Sequence, residues 1–240
     1  MQRFFIEPNL LQSPDVDLPP NIVHQLVHVL RVRSGEHIIL LDDTGWEYQA
    51  EITQISPRQV KASLQGKTQS TTEPHIRLVL YQALLREAKF DWVLQKGTEL
   101  GVSAFVPFVS EHSLTAQPSK SRYERWCRII TEAAEQSGRA RRPLVVQPIS
   151  FKEACAAPPM RVLALFASPL QAISLQQALN GATVDEIRLY IGPEGGFSTE
   201  EVLSAQQQGL IITQLGPRIL RTETAGLAAV AAILYALGEL

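Results

Sequence analysis

Short alternations of apolar and polar positions indicate that the first 70 residues are mostly β-structure. The predicted strands are Arg3–Ile6, His37–Asp42, Trp46–Ile55 and Gln59–Leu64. Asp43-Thr44-Gly45, between the second and third strands, has the composition of a hairpin turn. One helix is expected among the strands, because apolar residues recur at helical spacing at Ile22, Leu26, Val29 and Leu30. We therefore predict a small β-barrel carrying one helix over residues 1–70.

The pattern changes after Gly66–Pro74, a segment without large apolar residues that is typical of a linker. Beyond it, strands are predicted at Arg77–Gln82, Ala104–Val109, Leu144–Val146, Arg161–Phe166, Ile187–Ile191 and Ile211–Leu215. Helices are predicted between them at Ala88–Leu100, Arg122–Gln136, Leu170–Leu179, Thr199–Gln208 and Thr222–Leu237. Two helix starts carry capping-box sequences, Ser121 with Glu124 and Ser198 with Glu201. Because several strands are apolar throughout, we predict an α/β domain with a parallel sheet over residues 75–240.

Composition excludes several classes of protein. A hydrophobic fraction of 45% and a charged fraction of 19% over 240 residues are incompatible with disorder, collagen or a coiled coil. Cys127 and Cys155 are too few for a disulfide framework or a zinc cluster. The start lacks a signal-peptide core, and the longest apolar run, Thr224–Gly238, is too short to span a bilayer. We expect a cytoplasmic protein with no membrane partner.

Several common catalytic motifs are missing from the sequence. It contains no Walker A loop, no Gly-x-Gly-x-x-Gly and no Gly-x-Ser-x-Gly, so neither a P-loop, a Rossmann dinucleotide site nor a hydrolase elbow is predicted. His24 and His28 lie one helical turn apart, but no third ligand is near them in sequence. We therefore expect no metal.

The charge is uneven along a nearly neutral chain of net charge -2. Residues 1–74 hold 6 basic and 9 acidic residues, and residues 75–240 hold 16 and 15. Lys120–Arg142 alone holds 7 basic and 3 acidic residues. This local patch has two readings, a contact with a phosphate backbone or a solvated helix face that happens to be basic.

Two loops that follow apolar strands carry the most information. Ile191–Ser198 (IGPEGGFS) holds three glycines between a strand and a capped helix, which lets a ligand approach the backbone closely. Leu215–Ala225 (LGPRILRTETA) mixes two arginines with apolar Ile219 and Leu220. Apolar loop residues beside free main-chain groups favour a flat aromatic ligand that is sandwiched and hydrogen-bonded by backbone.

Together these loops resemble those of the RsmE family, the ribosomal RNA small-subunit (uracil-N3)-methyltransferases of the SPOUT superfamily. Three further stretches match in order and spacing: FDWVLQKGTELGV (90–102), EAAEQSGR (132–139), and MQRFFIEP with the later HQLVHVLRVRSGE. The resemblance covers nearly the whole chain. It implies methylation of N3 of a specific uridine in the 16S ribosomal RNA of the small subunit.

The resemblance also implies a fold, a cofactor and an assembly. The expected fold is a PUA-like RNA-binding β-barrel followed by a SPOUT α/β domain whose C-terminal region forms a trefoil knot. The expected cofactor is S-adenosyl-L-methionine, and the expected assembly is a homodimer with its active site near the subunit interface. Transferred residue by residue, the cofactor contacts are Leu165, Phe166, Ile191, Gly192, Pro193, Glu194, Gly195, Gly196, Leu215, Gly216, Arg218, Ile219, Leu220, Arg221 and Thr222.

Methylation of uracil N3 requires removal of its proton and stabilisation of charge on O2 and O4. Glu194 and Arg221 are the expected catalytic residues. Glu223 is an alternative proton acceptor and Arg218 an alternative cation, although Glu223 also suits a helix N-terminus and Arg221 suits a carboxylate contact.

RNA contacts are expected from both domains, at Arg3, Arg31, Arg33, Arg86, Lys89, Arg139, Arg141 and Arg142. Arg139 is further expected to reach into the partner subunit's site. Two other functions remain open at this point, besides that of a metabolic enzyme that uses a different adenosyl ligand. One is a SPOUT enzyme that methylates another RNA position, such as a ribose 2′-hydroxyl, and the other is a catalytically silent RNA-binding protein.

Overall fold

The computed structural model describes residues 1–113, 118–156, 158, 162–168 and 172–240, without the side chains of Glu87 and Val162. The chain divides into two compact units. Unit 1 consists of Met1–Glu73 and Ala134–Arg142, and unit 2 consists of Pro74–Ala133 and Pro143–Leu240. None of the described helices is long and apolar enough to cross a membrane.

Unit 1 is built on a five-stranded sheet with the order β1-β3-β4-β5-β2. The strands are β1 (Gln2–Phe5), β2 (Asp15–Asp17), β3 (His37–Leu41), β4 (Trp46–Ile55) and β5 (Val60–Gln69). β1 runs parallel to β3, and the other neighbours are antiparallel. Helix α1 (Pro20–His24) continues as a π-helical turn, Gln25–Leu30, and a 3-10 turn spans Pro8–Gln12. Buried Leu26, Leu40 and Ile52 pack in one core between helix and sheet.

The predicted hairpin at Asp43-Thr44-Gly45 is confirmed, with positive φ of 64° at Asp43 and 102° at Gly45. The predicted linker is partly wrong, because β5 continues through Gly66–Gln69 and pairs with the start of β4. This end of the strand is exposed and polar, so it carries no hydrophobic alternation for the sequence to show.

Unit 2 contains a parallel sheet, as predicted, with the order β11-β13-β10-β12-β6-β7-β8 and with β9 also pairing with β7. The strands are β6 (Arg77–Ala83), β7 (Ala104–Val109), β8 (Leu144–Val145), β9 (Ile149–Ser150), β10 (Val162–Ala167), β11 (Ile173–Ser174), β12 (Glu186–Ile191) and β13 (Ile211–Gln214). The helices are α2 (Glu87–Leu100), α3 (Lys120–Ser137), α4 (Phe151–Ala154), α5 (Leu175–Leu179), α6 (Thr199–Gln207) and α7 (Thr222–Ala236). The last turn of α3 belongs to unit 1.

Alternate residues of the sheet in unit 2 enter two different cores. Leu165 and Ile191 pack in a cluster with α2 and α7. Phe166 and Tyr190 pack on the opposite face, with residues of α4 and α6. Burial on both faces explains why the sequences of these strands are apolar without alternation.

The capping box of α6 is confirmed, because the Glu201 N–H donates to Ser198 Oγ and the Ser198 N–H donates to the Glu201 carboxylate. The box predicted at Ser121 is wrong, since α3 begins at Lys120 and the Arg122 N–H donates to Ser119 Oγ instead.

Two predicted elements begin outside the described residues. Arg161, the predicted start of β10, and Leu170, the predicted start of α5, both lie there. The predicted helix Leu170–Leu179 is wrong at Ile173–Ser174, which form β11, and α5 begins at Leu175 with a capping box of Ser174 and Gln177 that the sequence analysis did not identify.

Candidate active site

Three neighbouring strands of unit 2 end side by side at one edge of the sheet. In the register of the sheet, Ala167 of β10 pairs with Ile191 of β12 on one side and with Thr213 of β13 on the other. The two loops singled out by sequence follow β12 and β13 directly. Because parallel strands end at the same edge, both loops lie there, in the position where open α/β sheets bind ligands.

The glycine loop after β12 packs closely against a turn that follows β7. A Cβ added at Gly195 would lie 2.9 Å from His112 Cβ, and His112 Nδ1 lies 3.1 Å from the Gly196 carbonyl oxygen. A Cβ at Gly192 would lie 3.0 Å from the Phe197 ring. Gly196 has a φ of +72° and open space at its Cβ position. Packing therefore requires the first two glycines, and backbone conformation favours the third.

The loop after β13 is open and unusually apolar. Ile219 is 95% exposed, and Leu215 is also exposed. The main-chain N–H groups of Arg218, Ile219, Leu220 and Arg221 donate no hydrogen bond to any described residue. Exposed apolar side chains beside free N–H groups provide a cradle for a flat ligand that is bonded by main chain.

A lysine links two carboxylates at the same edge. Lys89, in the first turn of α2, donates a hydrogen bond of 3.2 Å to Glu194 Oε1, and its Nζ lies 3.3 Å from Glu223 Oε2. The hydrogen bond to Glu194 and the nearby charge of Glu223 raise the pKa of Lys89 above its ordinary value. Lys89 was expected at an RNA surface, and the structure instead joins it to Glu194 and Glu223.

Two further residues at this edge were missed by sequence reasoning. His112 supports the glycine loop, and its place after β7 in the chain gives no sign of that contact. Gln82, near the end of β6, is fully buried, and neither polar atom of its amide has a hydrogen-bond partner among the described residues. The sequence did contain a sign of this residue, because Gln82 is a polar residue within the otherwise apolar stretch LVLYQALL.

Comparison with known proteins places the chain in a family. Residues 72–234 match the model of an RNA methyltransferase domain, and residues 18–65 match that of an RNA methyltransferase PUA domain. The ribosomal RNA small subunit methyltransferase E of Bacillus subtilis is 36% identical, over 98% of this chain and 96% of that protein. The chain belongs to the ribosomal RNA small subunit methyltransferase E family. The predicted resemblance to RsmE is thereby confirmed.

Solved structures support the same assignment for this RsmE family member. A crystal structure of ribosomal RNA small subunit methyltransferase E from Neisseria gonorrhoeae, bound to S-adenosyl methionine, superposes with a TM-score of 0.91, at 36% identity and 98% coverage of both chains. A methyltransferase from Legionella pneumophila, in complex with the same cofactor, superposes with a TM-score of 0.89, at 27% identity and 98% and 97% coverage. The α/β methyltransferase fold follows from these likenesses.

Not every predicted contact residue presents its side chain at the edge of the sheet. The side chains of Leu165, Phe166 and Ile191 are buried in the cores, and those of Pro193 and Thr222 are buried as well. The exposed members of the predicted set are Glu194, Gly195, Leu215, Gly216, Arg218, Ile219 and Arg221.

The predicted RNA-binding residues differ in whether their side chains are already paired. Arg31, Arg33 and Arg86 are exposed, and their side chains have no partner among the described residues. Four others have partners: Arg3 pairs with Glu47, Lys89 with Glu194 and Glu223, Arg142 with Asp43, and Arg141 donates to the Thr44 carbonyl oxygen.

Arg139 does not lie where the sequence analysis expected it. Its side chain is only 5% exposed and is held by Glu73, which accepts from both Arg139 Nε and Nη2. A buried and paired arginine does not fit a direct contact with RNA or with a partner subunit's site. Arg139 is therefore excluded from the proposed RNA surface.

The His24 and His28 rings lie with their centroids 5.0 Å apart. Across the described parts of the chain, no group of three His, Cys, Asp or Glu side chains is arranged to hold a metal ion.

Proposed function

We propose that this protein transfers the methyl group of S-adenosyl-L-methionine to N3 of a uridine in the 16S ribosomal RNA of the small subunit. The observation that carries the proposal is the meeting of the glycine loop, the apolar loop and the Lys89–carboxylate group at one edge of a parallel sheet. Membership of the RsmE family and the cofactor-bound relatives support the same activity.

The residues at the edge fit the proposed cofactor. The free N–H groups of Arg218–Arg221 can bond an adenine edge, and exposed Ile219 and Leu215 can cover its face. The open space above Gly196 and Gly216 leaves room for a ligand close to the backbone. S-adenosyl-L-methionine supplies an electrophilic methyl group on a sulfonium.

The chain's own task is then to present a deprotonated uracil nitrogen. N3 carries a proton and takes part in base pairing, so the target base must be unpaired and brought to the edge. Glu194 and Glu223 are the carboxylates available to take that proton, and Lys89 and Arg221 are the cations available to stabilise charge on the uracil oxygens.

We further propose the RNA contacts and architecture that the family implies. Arg31, Arg33 and Arg86 are the proposed phosphate contacts, since their side chains are exposed and unpaired among the described residues. Unit 1 would close as a PUA-like barrel, and the end of unit 2 would form the trefoil knot. The site of action would be the cytoplasm, where small-subunit RNA is available.

A homodimer is the proposed assembly. Trp92 on α2 and Tyr235 on α7 are large exposed side chains on two helices that pack against each other. Sedimentation equilibrium tests the dimer, with Trp92→Lys and Tyr235→Lys expected to shift the protein towards monomer. A wild-type protein that remains monomeric at micromolar concentration would contradict it.

Nucleoside analysis tests the proposed activity. The purified protein is incubated with labelled S-adenosyl-L-methionine and either naked 16S RNA or small ribosomal particles, and the digested nucleosides are identified by mass spectrometry. N3-methyluridine is the expected product. A ribose-methylated nucleoside would favour the other SPOUT activity, and RNA binding without any methylation would favour the silent RNA-binding protein.

A further inference from the structure

The Gln82 amide is an unpaired polar group at the base of the site. Its side chain is fully buried, yet neither Nε2 nor Oε1 has a hydrogen-bond partner in the part of the chain that the structure describes. Burial of an unsatisfied amide is unfavourable, so such a group in a folded protein calls for an explanation. Gln82 aligns with Ile191 in the sheet, at the end of β12 from which the glycine loop departs.

Gln82 also lies beside the helix that carries Glu223. Its Oε1 is 3.0 Å from where a Cβ on Gly226 would be, and Gly226 is one helical turn after Glu223 on α7. Residues three apart in a helix share a face, so Gln82 packs against the face of α7 that also carries Glu223. Glu223 Oε2 is itself buried and lacks a hydrogen bond, although it lies 3.3 Å from Lys89 Nζ.

Resting on the proposed function, we propose that Gln82, Lys89 and Glu223 bind the Watson–Crick edge of the target base and select uracil. That edge presents an acceptor, a donor and an acceptor at O2, N3–H and O4. The three side chains offer the complement: donors from the Gln82 amide and the Lys89 ammonium, and an acceptor from the Glu223 carboxylate. Cytosine carries no proton on N3, so its N3 lone pair would face the carboxylate.

In this arrangement, Glu223 takes the N3 proton. The N–H bond breaks, the proton moves to the Glu223 carboxylate, and the nitrogen electron pair then forms the bond to the methyl carbon as the sulfonium becomes a neutral thioether. Lys89 and Gln82 stabilise the negative charge that develops on the uracil oxygens. The reaction therefore converts one carboxylate and one sulfonium into a carboxylic acid and a thioether, with charge balanced.

Glu223 is a better proton acceptor than Glu194 in this structure. Glu194 accepts the hydrogen bond from Lys89, and its side chain is 35% exposed. The Glu223 side chain is 15% exposed, and its Oε2 lies 3.3 Å from Lys89 Nζ without a hydrogen bond of favourable geometry among the described residues. A sheltered carboxylate with free lone pairs is suited to accept a proton from a bound base.

Replacement of Gln82 by Met separates a role in base binding from a role in packing. Removal of two unpaired polar atoms from a buried position should leave the thermal midpoint equal or higher. We expect the methylation rate to fall by about 30-fold or more, with unchanged calorimetric affinity for S-adenosyl-L-methionine. A Gln82→Met protein with the wild-type rate would overturn the inference.

Replacement of Glu223 by Gln tests both the proton step and the selection of uracil. Lys89 on α2 pairs with Glu223, Glu194 on the glycine loop shares that lysine, and uncharged Gln82 lies beside Gly226, one turn further along α7. We expect the Glu223→Gln rate to be at least about 100-fold lower at pH 7 and to rise about tenfold per pH unit, because hydroxide must then remove the N3 proton. The wild-type rate should change far less over pH 7–9.

The same variant should lose selectivity in binding. Filter binding with short RNAs that carry U or C at the target position should show a preference of wild type for U, and Glu223→Gln should reduce that preference. Glu99→Gln is the matched control, since Glu99 pairs with Lys96 on α2 by a comparable ion pair. It should behave as wild type in every assay.

The outcomes distinguish this inference from the proposed function. If wild type makes no N3-methyluridine, the proposed function fails and the inference fails with it. If wild type is active and Glu223→Gln keeps a normal rate, pH profile and base preference, the activity stands and the assignment of Gln82, Lys89 and Glu223 is wrong.

Discussion

Two groups of paired charges, one in each unit, differ in how completely their polar atoms are bonded. In unit 1, Glu73 accepts from the Arg139 guanidinium and from the main-chain N–H groups of Ala140 and Arg141. In unit 2, Lys89 holds two carboxylates, and Glu223 Oε2 is buried without a hydrogen bond. A fully bonded charge fixes one conformation, whereas a buried group with free bonding capacity is available to a ligand. In these two groups, the completeness of hydrogen bonding distinguishes the structural ion pair from the candidate site.

The largest expected effect is the loss of the Glu73 carboxylate. Glu73→Ala leaves the Arg139 guanidinium buried without its partner, which should lower the free energy of unfolding by about 3 kcal/mol in urea denaturation. Glu73→Gln keeps an oxygen acceptor for the Arg139 guanidinium, so its free energy of unfolding should fall by less. A change below about 1 kcal/mol for Glu73→Ala would contradict the structural role of this pair.

Loss of Lys89 should affect catalysis instead of folding. Lys89→Met removes the cation between Glu194 and Glu223, and we expect the methylation rate to fall by about 30-fold, equivalent to about 2 kcal/mol. The free energy of unfolding should change little, because the Lys89 side chain is 34% exposed and an exposed ion pair contributes little to stability. Lys96→Met, on the same helix, is the control that should keep full activity. If Lys89→Met lost as much free energy of unfolding as the fall in rate corresponds to, Lys89 would be a structural residue and its contrast with the Glu73 pair would be wrong.

Arg142 provides an intermediate case in unit 1. Its guanidinium pairs with Asp43 at 2.9 Å and lies 5.0 Å from the centroid of the Phe5 ring. Arg142→Ala should destabilise the protein by about 1 kcal/mol, with a smaller effect at high salt, and should leave the methylation rate unchanged. A selective loss of RNA affinity without destabilisation would return Arg142 to the RNA surface that its sequence position suggested.

The smallest expected effect concerns pH and Asp42. Burial raises the pKa of Asp42, but hydrogen bonds from Thr44 and Trp46 outweigh burial and hold the pKa below its ordinary value. A lowered folded-state pKa contributes stability above the unfolded-state value of about 3.9, and that contribution is lost as pH falls. Asp42→Asn should therefore have a lower free energy of unfolding than wild type at pH 7, by less than about 1 kcal/mol. The difference between the two proteins should become smaller towards pH 3. An equal difference in the free energy of unfolding at pH 7 and pH 3 would contradict a lowered pKa of Asp42.

Elements with a strong apolar pattern could be predicted from sequence alone. The bounds of Trp46–Ile55 and Ala104–Val109 match those in the structure. The short strand Leu144–Val145 was predicted, as Leu144–Val146, but Asp15–Asp17 and Ile173–Ser174 were not, because two or three residues are too few to show a period. Their place depends on pairing with strands that are distant in sequence.

The candidate site was only partly predictable, because contacts between residues that are distant in sequence leave no local pattern. The motifs identified both loops, since glycines and apolar residues after apolar strands are visible in sequence. The ion pair of Lys89 with Glu194 joins residues 105 positions apart, and that of Arg139 with Glu73 joins residues 66 apart. The sequence does not show which carboxylate faces a given basic residue, so Lys89 and Arg139 were both assigned to RNA.

Calorimetric titration with S-adenosyl-L-methionine tests the central claim, that the two loops at the edge of the sheet hold the cofactor. Wild type should bind, and so should Gly66→Val, because a Cβ at Gly66 meets open space. Gly195→Val should bind about 10- to 100-fold more weakly, because a Cβ 2.9 Å from His112 Cβ must displace the loop. No binding by wild type, or full affinity in Gly195→Val, would contradict the account.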